Sequence, residues 1–267
     1  MSPESEEAAF SRLRDYLTEE LAFQSDYYND AYLGRRVHAR MRRTDADSYA
    51  AYRRLLERDE AERDAVLDSL SVNVTGFFRN PDVWEAVGEI LRERSSGRRL
   101  RAWSTPCSDG REPYSLAMLA LDRGLGSRFS VLGTDIDRGA LDLAREGVYR
   151  STRTTSIEDE LEPIGDVDAY VERTEEGIRV AEDVRRRVTF ERHDLVRDQP
   201  KEGFDVVFCR NLLIYIDTDY KRAVVENVAQ AVDPGGYVVL GKTERMPRPC
   251  RDAFEEVDAN NRIYRRT

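Results

Sequence analysis

The stretch Leu100–Asp137, LRAWSTPCSDGREPYSLAMLALDRGLGSRFSVLGTDID, decides the fold of this chain. Its first residues, Leu100–Trp103, are typical of a short buried strand, and a turn rich in Ser, Pro, Asp and Gly follows them. Pro113 marks the start of a predicted helix, and Phe129–Thr134 predicts a second strand that ends on Asp135. The nucleotide-binding half of a doubly wound α/β domain consists of a strand, a turn of small residues, a helix and a second strand that ends on an acid.

The same turn indicates which ligand this domain binds. In such domains the first turn lies against the ligand, and the acid that ends the second strand binds ribose hydroxyls. The turn here, STPCSDGRE, lacks the GxGxxG pattern that holds the pyrophosphate of nicotinamide dinucleotides. A cofactor with a ribose but no phosphate fits better. We therefore predict S-adenosylmethionine, with Asp135 on its ribose.

Composition limits the remaining choices. The 267 residues, 40 % of them apolar, allow one large domain or two modest ones. No apolar run of about 18 residues occurs, and MSPESEEAAF does not resemble a signal peptide, so we expect a cytoplasmic protein without membrane insertion. The three cysteines lack CxxC spacing and the two histidines lie far apart, which argues against a disulfide framework, a zinc site and metal catalysis.

The charge pattern is unusual. The net charge is −10, yet all but three of the 42 cationic residues are arginines. Acidity combined with few lysines suits a high-salt cytoplasm, and we hypothesise that the source is a halophilic archaeon. A GC-rich genome is the alternative, which explains the lysine deficit but less of the acidity. The negative charge argues against nucleic-acid binding.

One segment has the opposite charge. The predicted helix from Tyr27 to Arg43 carries a dense basic face on an otherwise acidic chain. We predict that this face docks an acidic partner, with a solvated face as the alternative. Its cations are Arg35, Arg36, Arg40, Arg42 and Arg43.

The remaining pattern divides the chain into domains. Amphipathic periodicity predicts four helices and an all-α domain over residues 1–75, followed by a linker and helix over 76–98. An α/β domain follows over 99–267, with a hairpin predicted in a β-subdomain at about 165–190. Phe204–Cys209 predicts a fully buried strand with Arg210 and Asn211 at its carboxyl end, where open α/β sheets bind ligands.

Several of these stretches together resemble one family. The order and spacing of five motifs are similar to the successive signatures of the chemotaxis receptor methyltransferases, the CheR family. These motifs are SVNVTGFFRN, RAWSTPCSDGREPYSLAM, LGTDID, FDVVFCRNLLIY and DPGGYVVLG. LGRRVHARMR and SYAAYRRLLERD resemble the N-terminal helices of that family, so the resemblance covers nearly the whole chain.

The resemblance implies a fold and an activity. The implied fold is a Rossmann-like, class I S-adenosylmethionine-dependent methyltransferase domain with a small β-subdomain, preceded by an all-α N-terminal domain. The implied activity is that of a protein-glutamate O-methyltransferase, which forms glutamate methyl esters on methyl-accepting chemotaxis receptors for sensory adaptation.

The resemblance also implies a set of cofactor-binding residues: Asn73, Thr75, Arg79, Glu112, Asp135, Asp194, Leu195, Asn211 and Leu212. By similarity, the first three close over the cofactor, and Glu112 holds the methionine amino group. Asp135 binds the ribose, Asp194 with Leu195 frames the adenine, and the last two line the site beside the methionine moiety. The family often has Asn in place of Asp194, which puts a side-chain contact there in question.

The chemistry explains why no general base is evident. A glutamate acceptor has a reference pKa of about 4.3 and is already ionised at neutral pH. Excluding water and aligning the carboxylate with the methyl group then supply most of the acceleration. We expect the catalytic residues to be orienting ones, Arg79 and Tyr215. A place in the hydrophobic core is the alternative for the tyrosine.

Expected partners and rival functions complete the sequence prediction. We expect a monomer that binds receptors through the basic N-terminal helix. It should not use a pentapeptide tether on the receptor, because the hairpin loop TEEG is short and acidic. One rival is methyl transfer to a small molecule or RNA, although RNLLIY replaces the [DN]PP[YF] motif of many nucleobase methyltransferases. The other rival is an adaptor that binds receptors without turnover.

Overall fold

The computed structural model divides into two units. One unit, here the helical unit, contains Met1–Val72 together with Tyr215–Lys221. The other, the sheet unit, contains Asn73–Ile214 and Arg222–Thr267. The structure describes residues 5–70, 75–95, 98–152, 156–175 and 177–267.

Four helices form most of the helical unit: α1 (Glu6–Glu19), α2 (Asp30–Arg43), α3 (Tyr49–Arg58) and α4 (Glu60–Leu70). The side chains of Ser5, Asn29 and Ser48 each accept a backbone N–H at the start of a helix, which satisfies donors that have no partner within the helix. The predicted start of α2 at Tyr27 is wrong, because Ser25–Tyr27 forms a separate 3-10 turn.

A distant segment completes the core of the helical unit. The rings of Tyr215 and Tyr32 lie 4.7 Å apart between centroids. The backbone and side-chain nitrogens of Asn29 both donate to the Tyr215 carbonyl, at 2.9 and 2.8 Å. Ile216 pairs with Tyr28 in an antiparallel bridge. The helical unit is therefore built from two separated stretches of the chain.

The sheet unit contains seven strands in one sheet: β1 (Leu100–Ser104), β2 (Phe129–Asp135), β6 (Val188–Arg192), β7 (Phe204–Cys209), β8 (Val232–Leu240), β9 (Phe254–Asp258) and β10 (Ile263–Arg266). Their order is β6-β2-β1-β7-β8-β10-β9, and β10 runs antiparallel to both neighbours. The strand order reverses between β1 and β7, where open α/β sheets bind ligands. The predicted doubly wound architecture is confirmed.

Helix α5 (Pro81–Arg94) precedes β1, and the helices that lie between strands are α6 (Arg111–Asp122), α7 (Arg138–Glu146), α8 (Ile157–Leu161), α9 (Glu182–Arg185) and α10 (Thr218–Ala231). Helix α6 begins two residues before Pro113, since a first-turn residue needs no N–H for the helix. Gly110 precedes it with a φ of +91°, and a Cβ there would lie 2.8 Å from Ala144. Glycine is thus required where the turn after β1 meets α7.

The predicted hairpin is part of a smaller sheet. Strands β4 (Val171–Thr174) and β5 (Gly177–Val180) pair as predicted, and β3 (Val148–Tyr149) extends the sheet in the order β3-β5-β4. The small sheet therefore includes residues outside the predicted interval of 165–190. Glu176, in the loop between the paired strands, lies outside the described residues. Within the described part of the chain, every helix is too short or too polar to cross a membrane.

Candidate active site

The candidate site lies at the carboxyl end of the central strands. Ser104 ends β1, Asp135 ends β2, and Asn211 follows β7. Glu112 stands in the first turn of α6, directly after the turn that leaves β1. The sheet thus brings together the side chains that the sequence predicts for the ribose and for the methionine end of the cofactor.

Asp135 is a buried carboxylate held by backbone donors. Its two oxygens accept N–H groups from Ser108 at 2.8 Å and Asp137 at 3.0 Å, and the residue is 8 % exposed. Burial raises the pKa of Asp135 to about 6, although these hydrogen bonds favour the ionised form. Each carboxylate oxygen accepts more than one hydrogen bond, so two hydroxyls can still bind.

Glu112 is a second nearly buried carboxylate. Its oxygens accept the Ser104 hydroxyl at 2.8 Å and Nη1 of Arg210 at 3.2 Å. Burial raises the pKa of Glu112, and the charges of Arg210 and Arg79 oppose the increase. A further cation beside this carboxylate would favour its ionised form, as the amino group of a methionine moiety would.

Arg210 links this carboxylate to the connector before α5. Its side chain is 1 % exposed, and Nη2 donates to the Asn80 side chain at 2.7 Å and to the Arg79 carbonyl at 3.1 Å. Among the described residues, Nε of Arg210 has no hydrogen-bond partner. From its position in the sequence, Arg210 was expected at the end of β7 but was not assigned to the site. Its signal was a cation directly after a strand that is apolar except for Asp205.

Asn211 is fixed by a residue that the sequence analysis missed. Its φ is +60°, and its backbone N–H donates to Oε2 of Glu244 at 2.9 Å. Gly241 donates to the same oxygen at 2.7 Å, and a Cβ on Gly241 would lie 2.8 Å from the Asn211 nitrogen. Glu244 therefore holds the loops after β7 and β8 together. Glu244 could not be identified from the sequence, because one of the two backbone groups that it binds, the N–H of Asn211, lies in a distant loop.

The predicted adenine residues follow β6. Asp194 Oδ1 accepts the N–H groups of Val196 at 2.9 Å and Arg197 at 3.2 Å, so this side chain holds the turn. Leu195 is buried in the same hydrophobic cluster as Trp103. Leu212 packs against that cluster too. The assignment of these residues to the cofactor stays a prediction.

The connector before α5 is held by hydrogen bonds. Phe77 donates its N–H to Glu160 of α8 at 2.9 Å, and Phe78 donates to Ser115 of α6 at 3.0 Å. The Arg79 carbonyl also accepts Nε1 of Trp84 at 3.0 Å. Arg79 lies close enough to Glu112 for its charge to oppose the increase in the pKa of that carboxyl. Thr75 is half-buried, and Asn73 lies outside the described residues.

Tyr215 lies in the helical unit, where its half-buried ring packs on Tyr32 as described above. A place in the hydrophobic core was the alternative that the sequence left open for Tyr215. Its role beside the acceptor stays a prediction.

The basic face of α2 contains one arginine that differs from the others. Arg40 donates through Nε to Glu62 at 3.0 Å and through Nη2 to the other oxygen, and both side chains are largely buried. This ion pair holds Arg40, and the part of Arg40 in a docking surface stays a prediction. Arg36, Arg40, Arg42 and Arg43 line a pocket of about 590 Å³ beside α4.

The fold and site together define a class I S-adenosylmethionine-dependent methyltransferase: a doubly wound sheet, a carboxylate at the end of β2 and a first turn that lacks the dinucleotide pattern. The chain belongs to the CheR methyltransferase family. Residues 73–263 match the SAM binding domain of CheR methyltransferases, and residues 8–71 match their all-alpha domain. The resemblance stated from the motifs is confirmed, as is S-adenosylmethionine as the cofactor.

Relatives extend the similarity to nearly the whole chain. A chemotaxis protein methyltransferase of Listeria monocytogenes is 29 % identical, over 90 % of each chain. Chemotaxis protein methyltransferase 2 of Vibrio cholerae is 30 % identical, over 90 % of this chain and 86 % of that protein. The probable biofilm formation methyltransferase WspC of Pseudomonas aeruginosa is 33 % identical, over 87 % of this chain and 56 % of that protein. These organisms are bacteria, so the relatives do not support a halophilic archaeon as the source.

Proposed function

We propose that the enzyme transfers the methyl group of S-adenosylmethionine to glutamate carboxylates of chemotaxis receptors and forms methyl esters for sensory adaptation. The observation that carries this proposal is the pair of buried carboxylates, Asp135 and Glu112, at the carboxyl edge of the sheet. Chemotaxis methyltransferase relatives that align over nearly the whole chain support the same substrate class.

The residues present fit the cofactor. Asp135 offers acceptor capacity for two ribose hydroxyls, and Glu112 offers a carboxylate for the methionine amino group. The guanidinium of Arg79 lies near enough to act on Glu112, and it would complement the methionine carboxylate. When bound, the cofactor supplies an electrophilic methyl group on a sulfonium.

The chain's own residues then act by position rather than by proton transfer. The acceptor is ionised at neutral pH, so no residue has to remove a proton. Attack of a carboxylate on a sulfonium cancels two charges, and water stabilises the separated charges more than the transition state. A site that excludes water therefore favours the reaction, and we assign the alignment of the acceptor to Arg79 and Tyr215.

Transfer of labelled methyl groups tests the proposal. Receptor-containing membranes and S-adenosylmethionine with a tritiated methyl group should yield label that alkali releases as methanol. Label resistant to alkali, or found in RNA or a small molecule, would indicate another acceptor. Binding of receptor and cofactor without any transfer would indicate the adaptor.

We also propose that the basic face of α2 docks the receptor. Arg40 is held there by Glu62, and Arg35, Arg36, Arg42 and Arg43 complete the face. Charge reversal at Arg42 and Arg43 should raise the KM for receptor and flatten its salt dependence, because steering by charge is lost. The exposed Arg54 of α3 is the matched control. Equal KM values for R54E and the α2 double variant would contradict this docking site.

The remaining expectations about partners form part of the same proposal: a cytoplasmic monomer that does not use a receptor tether. A tether would add a strand to an exposed sheet edge such as that of β4, whose loop carries Glu175. An acidic peptide would be repelled there, the more so at low salt. Micromolar binding of a receptor C-terminal peptide would contradict this, and light scattering would test the monomer.

The high-salt hypothesis now rests on composition alone. A net charge of −10 with three lysines predicts that activity and thermal stability fall as potassium chloride is reduced from molar to millimolar concentrations. Equal activity and stability at both ends of this range would favour the GC-rich genome as the explanation.

A further inference from the structure

A second basic segment lies at the carboxyl edge of the sheet, in the loop after β8. Residues 242–251, KTERMPRPCR, hold four cations, and their acid, Glu244, is buried against Asn211 and Gly241. The rest of the chain is strongly acidic. None of the residues predicted to bind the cofactor belongs to this positively charged segment.

Three arginines of this region line one pocket of about 330 Å³. Arg245 and Arg251 come from the loop, and Arg262 directly precedes β10. The apolar part of the lining comes from Met246, Phe254 and the ring of Tyr264. The pocket therefore combines cations with apolar side chains.

Two of the three arginines are positioned before any ligand arrives. Arg251 donates through Nε to the Met246 carbonyl at 3.0 Å, and Arg262 donates through Nε to the Lys242 carbonyl at 3.2 Å. Bonds at Nε leave the terminal nitrogens of a guanidinium available for a bidentate acceptor.

The pocket contains more positive than negative charge. Glu256 lies 3.4 Å from Arg262 and balances that arginine. In the described ranges of the chain, no carboxylate lies within ion-pair distance of Arg245 or Arg251. Two positive charges are left for a ligand.

We propose that this pocket binds a carboxylate side chain of the protein substrate, next to the glutamate that is methylated. The inference rests on the proposed function and adds a determinant of substrate specificity. A pocket lined by guanidinium groups and apolar side chains suits the carboxylate and the methylenes of an acidic side chain, whereas a phosphate makes no use of the apolar part.

Position supports this assignment. Arg245 follows Glu244, whose carboxylate holds the backbone of Asn211 beside the predicted methionine end of the cofactor. On a helix, side chains three or four residues apart lie about 5–6 Å from each other between Cβ atoms. The pocket shares its loop with the residue that holds the predicted site, and in our proposal one acidic substrate helix presents a glutamate to that site and a neighbouring carboxylate to the arginines.

The test measures methylation of the cytoplasmic fragment of a chemoreceptor from the source organism. The double variant R245Q/R251Q should raise the KM for this fragment about tenfold, the order expected for two partly exposed charge pairs. The kcat at saturation and the Kd for S-adenosylmethionine should stay within twofold. The KM of R251K should lie between those of the wild-type enzyme and the double variant, since lysine keeps the charge but loses the bidentate geometry. The matched control is R248Q, in the same loop but outside the pocket.

A binding measurement identifies the ligand class. A helical peptide with repeated glutamates should bind the wild-type enzyme and lose affinity in R245Q/R251Q, and its glutamine counterpart should not bind. An unchanged KM in the double variant, or competition by millimolar inorganic phosphate or by anionic vesicles but not by the peptide, would overturn the proposal. If the wild-type enzyme transfers no methyl group to the receptor fragment, the proposed function fails instead.

Discussion

Both units bury an arginine–glutamate pair, and the surroundings of the two pairs differ. In the helical unit, Arg40 binds both oxygens of Glu62, and the hydroxyl of Tyr52 donates to the same carboxylate at 2.5 Å. Burial alone would raise the pKa of Glu62, but these hydrogen bonds outweigh it and hold the pKa below its ordinary value.

In the sheet unit, the corresponding carboxylate is less well satisfied. Glu112 accepts a single Arg210 nitrogen, while Nη2 of that arginine serves Asn80 and the Arg79 carbonyl. Burial dominates here and raises the pKa of Glu112.

The difference separates a structural pair from a binding pair. A saturated buried network stabilises one conformation, whereas a carboxylate with a raised pKa retains capacity for a cationic ligand. The following four predictions test this distinction.

Removing Glu62 should have the largest effect on stability. Glu62→Ala leaves Arg40 buried without its carboxylate and should reduce the free energy of unfolding by about 3–5 kcal/mol. Denaturant unfolding measures this loss, and the Kd for S-adenosylmethionine should not change. Glu57→Ala, in the exposed pair with Arg53, is the control and should change stability by less than about 0.5 kcal/mol. Similar losses in both variants would contradict the structural role.

Removing Asp135 should have the largest effect on binding. Asp135→Ala loses two charge-assisted hydrogen bonds to ribose, each worth about 1.5 kcal/mol. The variant should therefore bind S-adenosylmethionine about 100-fold more weakly. Calorimetry measures the affinity, and circular dichroism should show an intact fold. The exposed Asp142 of α7 provides the control substitution. Unchanged affinity in Asp135→Ala would remove this residue from the site.

Glu112→Gln should weaken the binding of S-adenosylmethionine about tenfold, because a neutral amide attracts the amino group of the methionine moiety less than a carboxylate does. The same variant should lose less stability than Glu62→Gln, since glutamine can still accept from Ser104 or Arg210. Both quantities come from the same calorimetric and unfolding measurements. A larger stability loss in Glu112→Gln than in Glu62→Gln would reverse the distinction.

The pH dependence of binding should show an effect of the same size as Glu112→Gln. The pKa of Asp135 is about 6 in the free protein, and only its ionised form accepts both hydroxyls. Lowering the pH therefore weakens binding, and the Kd for S-adenosylmethionine should rise about tenfold between pH 7.5 and 5. The pKa of Glu112 is also raised, so Glu112 contributes to the pH dependence of the Kd as well. Measuring the same pH profile in Glu112→Gln separates this contribution from that of Asp135. Asp135→Ala should lose the part of the pH dependence that comes from Asp135, and an unchanged pH profile in that variant would contradict the assignment.

The sequence predicts the local parts of this arrangement well. The strand, turn, helix and second strand of Leu100–Asp135 follow from periodicity and turn residues. Strand β3 was missed because two residues carry no periodic pattern, and only pairing with β5 makes them a strand.

Charged pairs were harder to predict. Five arginines of α2 look equivalent in the sequence, but Arg40 alone meets Glu62, which is contributed by α4. Glu244 likewise acts on Asn211 across two loops. Which ionisable groups are buried together depends on tertiary contacts between distant residues, which neither spacing nor composition records.

The division of the helical unit into two stretches affects how the chain folds during synthesis. A ribosome completes α1–α4 long before it adds Tyr215–Lys221, so the nascent helices lack the ring that packs on Tyr32 and the carbonyl that Asn29 binds. The sheet unit in turn waits for Arg222–Thr267. The helical unit therefore departs from the usual order, in which an N-terminal domain is complete before the rest of the chain is made. We expect α1–α4 to gain their last packing contacts only when translation is nearly finished.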